Sequence, residues 1–249
     1  MDLRGKTAIV TGGATGLGRA IALKLAAEGA NLAIVYSRSE QEAGETADQC
    51  AARGSRAITV RADVADEANV QAMADRVREE FGRIDVLVNN AGTTIYRPMS
   101  DLETIPEADW DRIMAVNVKA HWLTARAVVP SMREQGEGAI VSVTSIAGLR
   151  PAGSSMPYCV SKAGAIMLTK CLAVGLAADN IRVNSIAPGL LLTRWWEGFP
   201  EEVVEDFVRT SPLKRETTLE DAADGALFAI KNDSMTGQTM VIDTGLYPH

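Results

Sequence analysis

The chain has 249 residues, of which 47% are hydrophobic and 23% charged, and its formal net charge is -7. This length accommodates one α/β domain or two small ones, and the composition is that of a globular protein with a large core. The acidic balance argues against nucleic acid, or an anionic membrane surface, as the main partner.

The cysteines and histidines exclude several kinds of site. Cys50, Cys159 and Cys171 are odd in number and lack the spacing of metal ligands, which is typical of reduced thiols. His121 and His249 are the only histidines, so we predict no histidine-based metal site and no histidine triad. The N-terminus has no long apolar signal region, and no continuous apolar run approaches the ~20 residues that span a bilayer. We therefore expect a cytoplasmic protein without a membrane partner.

Short apolar segments alternate with helical patterns along the first half of the chain. Four such segments predict strands, at residues 6–11, 31–36, 57–62 and 84–88. Strands that are apolar throughout are typical of a parallel sheet covered by helices on both faces. No linker interrupts the alternation, so we predict one domain over residues 1–249.

A glycine-rich turn follows the first predicted strand. It spans residues 12–18, with the sequence GGATGLG, and a helical pattern follows it. Glycines let the backbone approach a phosphate, and a helix N-terminus offers free N–H groups. The spacing Gly-x-x-x-Gly-x-Gly departs from the usual Gly-x-Gly-x-x-Gly form. The alternative is a tight turn without a ligand.

The end of the second predicted strand bears on the choice of cofactor. An acidic residue there would bond a ribose and select NAD, but this chain has Tyr36, Ser37 and Arg38. Arg38 can bind a 2′-phosphate through its guanidinium group, so we favour NADP over NAD. The alternative is that Arg38 is a solvated cation neutralised by Glu40.

Polar and small residues follow the other predicted strands. Asp63 ends the third strand, where a ligand role and capping of the next helix, by Asp63 or Asp66, are equally good interpretations. Residues 89–92, with the sequence NNAG, follow the fourth strand, and small residues there suggest backbone close to a ligand. A fifth strand is predicted at 138–144 and ends in Thr144, with Ser145 directly after it, and either hydroxyl is a candidate to bond a substrate oxygen.

Two further features suggest proton chemistry. Asn117 lies within a helical pattern over about 109–133, where it is either an ordinary helix residue or a group that holds a water. Tyr158 and Lys162 are four residues apart in another helical pattern, so both side chains leave the same face. An ammonium near a phenol lowers the phenol pKa, which makes Tyr158 a candidate proton donor and acceptor. The alternative is a chance pair on a helix surface.

Taken in order, these motifs resemble those of the single-domain short-chain dehydrogenases/reductases, such as 3-oxoacyl-carrier-protein reductases and glucose dehydrogenases. The resemblance runs from near residue 5 to near residue 245. It rests on seven motifs: Thr11-Gly12-x-x-x-Gly16-x-Gly18, Asp63-Val64, Asn89-Asn90-Ala91-Gly92, Asn117, Ser145, Tyr158-x-x-x-Lys162 and Pro188-Gly189. The family pattern has its serine thirteen residues before the tyrosine, which selects Ser145 over Thr144.

The resemblance implies a fold and a reaction. The fold is a Rossmann-type doubly wound parallel sheet of about seven strands in three α/β/α layers. The reaction is hydride transfer between NADP(H), or NAD(H), and a carbonyl or secondary alcohol. The catalytic residues would be Asn117, Ser145, Tyr158 and Lys162: Tyr158 exchanges the proton, Lys162 tunes it and bonds the ribose, Ser145 orients the substrate oxygen, and Asn117 keeps a water.

The resemblance also implies the remaining cofactor contacts. Asp63 would bond the adenine amino group, Asn90 would lie against the ribose, and Thr193 would hold the carboxamide. The full predicted cofactor set is Gly12, Thr15, Gly16, Leu17, Gly18, Ser37, Arg38, Asp63, Val64, Asn90, Ala91, Gly92, Tyr158, Lys162, Pro188, Gly189, Leu191 and Thr193. Two positions depart from the family pattern: Thr15 stands where many NADP-using relatives have a basic residue, and Thr244 where relatives usually have glycine.

Substrate specificity is expected to reside in residues 190–212, which we interpret as a mobile lid over an apolar pocket. Packing or a subunit contact is the alternative. The predicted substrate-binding residues are Tyr96, Ser145, Met156, Tyr158, Trp195 and Trp196. The resemblance also implies a homotetramer, or a dimer, formed through the helices that carry Asn117 and Tyr158.

Three functions stay open at this stage. The first is an NADPH-dependent reductase of a ketone or 3-oxoacyl thioester, and the second is a sugar or alcohol dehydrogenase working in the oxidative direction. The third is a non-catalytic dinucleotide-binding sensor, against which the intact catalytic set argues. Dehydratase or epimerase relatives tend to be longer chains with a separate substrate domain.

Overall fold

The computed structural model describes residues 1–193 and 201–248. Its centre is one sheet of seven parallel strands in the order β3-β2-β1-β4-β5-β6-β7. The predicted Rossmann-type doubly wound sheet is therefore confirmed. The strands are β1 Thr7–Thr11, β2 Asn31–Tyr36, β3 Ala57–Arg61, β4 Val86–Asn89, β5 Gly138–Val143, β6 Ile181–Pro188 and β7 Thr239–Ile242.

Helices cover both faces of the sheet. They are α1 Gly16–Ala27, α2 Glu40–Ala51, α3 Glu67–Phe81, α4 Glu107–Met114, α5 Ala120–Gln135, α6 Met156–Leu176, α7 Glu201–Thr210 and α8 Leu219–Lys231. Because side chains alternate across a strand, β1 supplies both cores. Its Ala8 and Val10 join the core beneath α1 and α8, and Ile9 joins the core beneath α3 and α5.

The strand order brings the chain's functional motifs to one edge. The order reverses between β1 and β4, which leaves a crevice at the carboxyl ends of these strands. The turns after β1, β2, β4, β5 and β6 all open toward this crevice, and each carries a motif that the sequence singled out.

Two element boundaries differ from the sequence prediction. β4 begins at Val86 rather than residue 84, because the buried Asp85 carboxylate accepts a hydrogen bond from the Thr7 N–H and pairs with Arg83. The helix predicted over 109–133 consists of α4 and α5 joined by a π-helical turn, Ala115–Lys119, which contains Asn117. Short π-helical turns inside α-helices are frequent at functional sites.

The helical segment Met156–Asp179, which includes α6, is long and apolar enough to cross a membrane by length and composition. Lys162 and Lys170 interrupt its apolar side chains, and Lys162 is buried within the domain. α6 packs against β6 and against the π-helical turn. In this fold α6 is one of the helices that cover the sheet.

Candidate active site

A cavity of about 830 Å³ lies at the carboxyl edge of the sheet. Among the described residues, it unites most of the predicted cofactor and substrate residues. Those that line it are Gly12, Thr15, Gly16, Leu17, Ser37, Arg38, Asn90, Ala91, Gly92, Tyr96, Ser145, Tyr158, Lys162, Pro188, Gly189, Leu191 and Thr193.

Five predicted residues do not line the cavity, and two lie outside the described residues. Gly18 and Asn117 support the cavity from behind, as described below. Asp63, Val64 and Met156 lie away from its walls. The two outside the described residues are Trp195 and Trp196.

The glycine turn after β1 is shaped to approach a ligand. Gly12 and Gly16 have φ angles of 62° and 54°, a backbone region that favours glycine. The Thr15 side chain makes no capping hydrogen bond at the N-terminus of α1, and the first turn of α1 has no acidic residue. The first N–H groups of α1 therefore remain available, and no carboxylate opposes an anion there.

A hydrogen-bond network holds this turn against the turn after β4. The Asn90 amide donates to the carbonyls of Thr11 and Gly12, both at 3.0 Å. The Thr11 hydroxyl accepts from the N–H groups of Asn90 and Ala91 and donates to the Val88 carbonyl. The Asn90 side chain thus holds the glycine turn by hydrogen bonds to the turn's backbone carbonyls. The sequence reasoning named Thr11 only within the glycine motif and missed this role.

The end of β2 presents a cation to the cavity. Arg38 is exposed and forms no ion pair within residues 1–193 and 201–248. Glu40, the neutralising partner that the sequence offers as an alternative, instead interacts with the hydroxyl of Tyr36. Burial of Tyr36, together with the negative charge of Glu40, raises the pKa of this phenol.

Asp63, which lies just after β3, already forms an ion pair with another residue. Its carboxylate pairs with Arg112 at 3.0 Å and accepts a hydrogen bond from the Ala65 N–H. Partial burial would raise the pKa of Asp63, but these hydrogen bonds outweigh it and lower the pKa. Asp66, and not Asp63, caps α3, because its side chain accepts a hydrogen bond from the Asn69 N–H. The neighbouring Val64 is buried against Val116 and Ala120.

The structure separates the two hydroxyl candidates after β5. Thr144 is 3% exposed, and its hydroxyl donates to the Ile186 carbonyl of β6 at 2.7 Å. The Ser145 hydroxyl accepts from the Ala147 N–H and is hydrogen-bonded to Tyr158. Thr144 therefore joins two strands, whereas Ser145 faces the phenol.

Tyr158 and Lys162 lie one turn apart on α6, as predicted. Ser155 caps this helix by accepting a hydrogen bond from the Tyr158 N–H, and the Lys162 ammonium lies 5.6 Å from the centre of the tyrosine ring. The ammonium donates to the Val143 carbonyl at 2.9 Å, and its burial lowers the Lys162 pKa to about 8.

The sequence predicts a lowered pKa for Tyr158, but the polypeptide by itself raises it. Burial raises the pKa of Tyr158 to about 12, and the hydrogen bond with Ser145 offsets only part of this rise. Lys162 is oriented toward Val143 instead. At neutral pH the phenol therefore keeps its proton, which suits a group that donates a proton to an oxygen.

Asn117 is fully buried in the π-helical turn and holds two neighbouring segments. Its amide group donates to the Thr93 carbonyl and to the Ser161 hydroxyl, and its oxygen accepts from the Thr93 N–H, all at 2.9 Å. It thereby joins the loop after β4 to the helix that carries Tyr158. Sequence reasoning gave it a water-binding role and missed these partners.

The outer wall of the cavity contains residues that the sequence did not single out. They are Arg97, Pro98, Ala152, Gly153, Ser154 and Phe207. The Ser154 carbonyl accepts from the Arg97 N–H at 2.9 Å, which links the loop after β4 to the loop before α6. Phe207 belongs to α7 and lies inside the segment 190–212, to which the sequence assigns specificity. Its position in that segment is the one sequence signal that could have identified it as a cavity residue.

Comparison with known proteins agrees with this geometry. The family model described as enoyl-(acyl carrier protein) reductase matches residues 12–247. The ketoacyl reductase 2 assigned to the granaticin polyketide synthase of Streptomyces violaceoruber is 40% identical over 242 residues, covering 96% of this chain and 95% of that protein. A 3-oxoacyl-[acyl-carrier-protein] reductase of Staphylococcus aureus is 35% identical over 244 residues, covering 97% and 98%.

Solved structures show the same likeness. A short-chain type dehydrogenase/reductase from Mycobacterium marinum superposes with a TM-score of 0.89 at 33% identity, covering 100% of this chain and 97% of that one. A 7α-hydroxysteroid dehydrogenase complexed with NADH and 7-oxo glycochenodeoxycholic acid gives a TM-score of 0.91 at 32% identity, covering 98% and 94%.

Proposed function

Because the chain belongs to the short-chain dehydrogenase/reductase family and is an NAD(P)-dependent oxidoreductase, we propose that it reduces a ketone or a 3-oxoacyl thioester with NADPH. One observation carries this proposal. A protonated phenol, a serine hydroxyl hydrogen-bonded to it and a buried ammonium share one cavity with the glycine turn. This combination supplies a proton beside a dinucleotide-binding surface.

The residues present fit a dinucleotide. The free N–H groups of α1 and the positive φ angles of Gly12 and Gly16 would receive the pyrophosphate. The remaining contacts would come from the cavity residues near β4 and β6, including Asn90 and Thr193. The bound nicotinamide supplies the hydride that a carbonyl carbon needs. Asp63 already bonds Arg112 and the Ala65 N–H, but its carboxylate keeps further acceptor sites, so the predicted contact with the adenine stays a proposal.

The chain's own residues would then complete the reaction. Tyr158 gives its proton to the substrate oxygen, and Ser145 orients that oxygen through its hydroxyl. Lys162 provides positive charge beside the phenol and a donor toward the ribose. Asn117 fixes the loop and helix that position this group, in addition to the water that the family resemblance gives it.

NADPH is the cofactor that we propose. Arg38 supports this choice because it is exposed at the cavity and has no competing ion-pair partner among the described residues. Thr15 contributes no charge, so Arg38 would be the main cation for a 2′-phosphate.

Replacing Arg38 with Gln is therefore expected to weaken NADPH binding by roughly 10- to 100-fold, the size of a lost hydrogen bond to a charged group. NADH binding should change little. Fluorescence titration of both cofactors measures this, with Arg53→Gln as the matched control, since Arg53 is an exposed arginine that donates to Gln49. Equal weakening of NADH and NADPH by Arg38→Gln would contradict the assignment.

The substrate proposal rests on the relatives and on the cavity. The polyketide and 3-oxoacyl reductases favour a 3-oxo thioester, and the hydroxysteroid dehydrogenase favours a bulkier ketone or its alcohol in the oxidative direction. We propose residues 190–212 as the specificity segment of a single domain, with Trp195, Trp196 and Tyr96 as substrate-binding residues and Phe207 as a further cavity residue.

A substrate panel tests the function. NADPH depletion is followed by absorbance with 3-oxoacyl thioesters, a ketosteroid, a sugar ketone and small ketones, and the corresponding alcohols are run with NADP. We expect turnover of at least one ketone class with NADPH. Cofactor binding without any turnover would favour the non-catalytic sensor.

Assembly and location complete the proposal. Exposed apolar side chains on α5 and α6, namely Trp122, Val160, Met167 and Val174, support a homotetramer or dimer through these helices. Sedimentation at micromolar concentration tests this assembly, and a monomer would contradict it.

All three cysteines are free, which supports a reducing, cytoplasmic location.

A further inference from the structure

His121 is a buried titratable residue with no part in the site described so far. It is 2% exposed on α5, one turn after Asn117. Neither ring nitrogen has a hydrogen-bond partner among the described residues. Buried polar atoms are nearly always paired with protein or with ordered water, so this ring needs an explanation.

A second buried polar group without a partner lies on β4, against which α5 packs. The side-chain amide nitrogen of Asn89, at the end of β4, is also buried without a partner in the described chain. Its oxygen accepts from the Thr124 hydroxyl at 2.7 Å, and the same hydroxyl oxygen lies 2.8 Å from the Ala120 carbonyl and 3.2 Å from the main-chain carbonyl of His121. Thr124 therefore connects the Asn89 side chain to the helical turn that carries His121, and we call Asn89, His121 and Thr124 the buried polar cluster.

The cluster lies beside the strand that the Lys162 ammonium contacts. Asn89 pairs in register with Ser142 of β5, one residue before Val143, whose carbonyl accepts from the Lys162 ammonium. The charge of Lys162 also lowers the pKa of His121, after burial, to about 3, so the ring is neutral and offers one donor and one acceptor. The ammonium has three N–H donors and one protein acceptor within the described residues.

The other elements packed against α5 contribute no further charge to this cluster. β5 has no titratable side chain, Asp85 just before β4 is bound to Lys6 and Arg83 at the opposite edge of the sheet, and Lys119 of the π-helical turn is exposed. Glu67 and Arg78 of α3 pair on the exposed side of α5 with Arg126 and Glu134. From α6, the charged group that acts on His121 is Lys162.

We propose that His121 is a positioning residue of the proton-transfer site. Its ring and the Asn89 amide hold internal water behind Lys162, and that water accepts a hydrogen bond from the ammonium. Such a bridge satisfies all three orphaned nitrogens, at little cost in free energy relative to direct hydrogen bonds. The inference rests on the proposed function in one respect, namely that Lys162 serves Tyr158 and the cofactor in its charged form.

The test is the pH dependence of NADPH binding from pH 6 to 10, measured by fluorescence without substrate. Wild type should lose affinity as Lys162 loses its proton, near pH 8. His121→Leu removes the polar surroundings and should move this loss about one pH unit lower, since an ammonium with less hydration deprotonates earlier. His121→Gln keeps a donor and an acceptor and should restore the wild-type midpoint.

The control is Val128→Ala, a buried position two turns further along α5, which loosens the helix without touching the cluster. An unchanged midpoint in His121→Leu, or an equal shift in His121→Gln and Val128→Ala, would overturn the proposal. Because no turnover is needed, a failure of the proposed reductase activity is seen separately, in the substrate panel.

A measurement on the wild-type ring covers the case in which His121→Leu does not fold. The chain has two histidines, so His249→Ala leaves His121 as the one imidazole for ¹⁵N NMR. We expect a neutral ring throughout pH 5 to 8, with a cross-peak from its N–H to a long-lived water. A ring that titrates in this range, or shows no water contact, would overturn the proposal.

Discussion

Replacing Tyr158 with Phe is expected to lower kcat for carbonyl reduction by about 1,000-fold, which corresponds to roughly 4 kcal/mol of activation free energy. The substitution removes one hydroxyl from a half-buried ring and leaves the ring's packing in place. NADPH affinity should stay within about threefold of wild type, because the phenol oxygen contributes to the transition state more than to ground-state binding. Steady-state kinetics with the best ketone of the panel, together with a cofactor titration, measures both quantities.

The chain offers a matched control for this experiment. Of its four tyrosines, Tyr36, Tyr96 and Tyr158 line the cavity, whereas Tyr247 does not. Tyr247→Phe makes the same chemical change outside the cavity and should leave kcat within about twofold of wild type. If Tyr158→Phe kept near-normal turnover with undisturbed cofactor binding, the proton donor would have to be another group.

The protonation state of Tyr158 favours one direction of the reaction. Its pKa of about 12 keeps the phenol protonated at neutral pH, which is the form that reduction consumes. Oxidation of an alcohol needs the phenolate as base, so the polypeptide alone disfavours it at pH 7. The alcohol panel should therefore show activity that rises with pH, whereas the Tyr158 proton that reduction needs stays in place over the same range.

The fold was predictable because its evidence is local and repeated. Each strand is a short apolar run, and each is followed by a turn whose residue types the edge of a parallel sheet requires. The break in the Asn117 helix was not predictable in this way. Its π-helical geometry depends on contacts from Asn117 to Thr93 and Ser161, which lie 24 and 44 residues away along the chain.

The candidate site was predictable as a set of residues but less so as a set of contacts. The spacing of Tyr158 and Lys162 correctly placed both on one helix face, yet it could not show that the ammonium bonds the Val143 carbonyl. Asp63 was named from its place at a strand end, and its pairing with Arg112 comes from a distant helix. Burial and long-range partners decide such details, and neither has a local sequence pattern.

The largest structural effect is expected at Gly18, which does not line the cavity. A Cβ atom at this position would lie 2.2 Å from the Gly12 carbonyl oxygen and 2.5 Å from the Asn90 amide nitrogen. Both neighbours are fixed, because the Asn90 amide donates to the Gly12 carbonyl and so holds the glycine turn. Gly18→Ala must therefore displace α1 from the turn or break this hydrogen bond.

Either displacement moves the N–H groups that we propose for the pyrophosphate. We expect Gly18→Ala to weaken NADPH binding by at least about tenfold and to lower the free energy of unfolding by about 2 kcal/mol, the usual cost of overpacking. Cofactor titration and thermal unfolding without cofactor separate the two effects. Gly44→Ala is the control, because Gly44 lies within α2 with no atom within 4 Å of an added Cβ.

The contrast between the two glycines gives the test its direction. In an open helix position, alanine is a better helix former than glycine, so Gly44→Ala should raise stability by up to about 1 kcal/mol with unchanged NADPH affinity. At Gly18 the same gain in helix propensity is outweighed by contact with backbone that cannot move freely. If Gly18→Ala were as stable as wild type and bound NADPH normally, the glycine turn would not be the rigid anion-binding element that the proposed function requires.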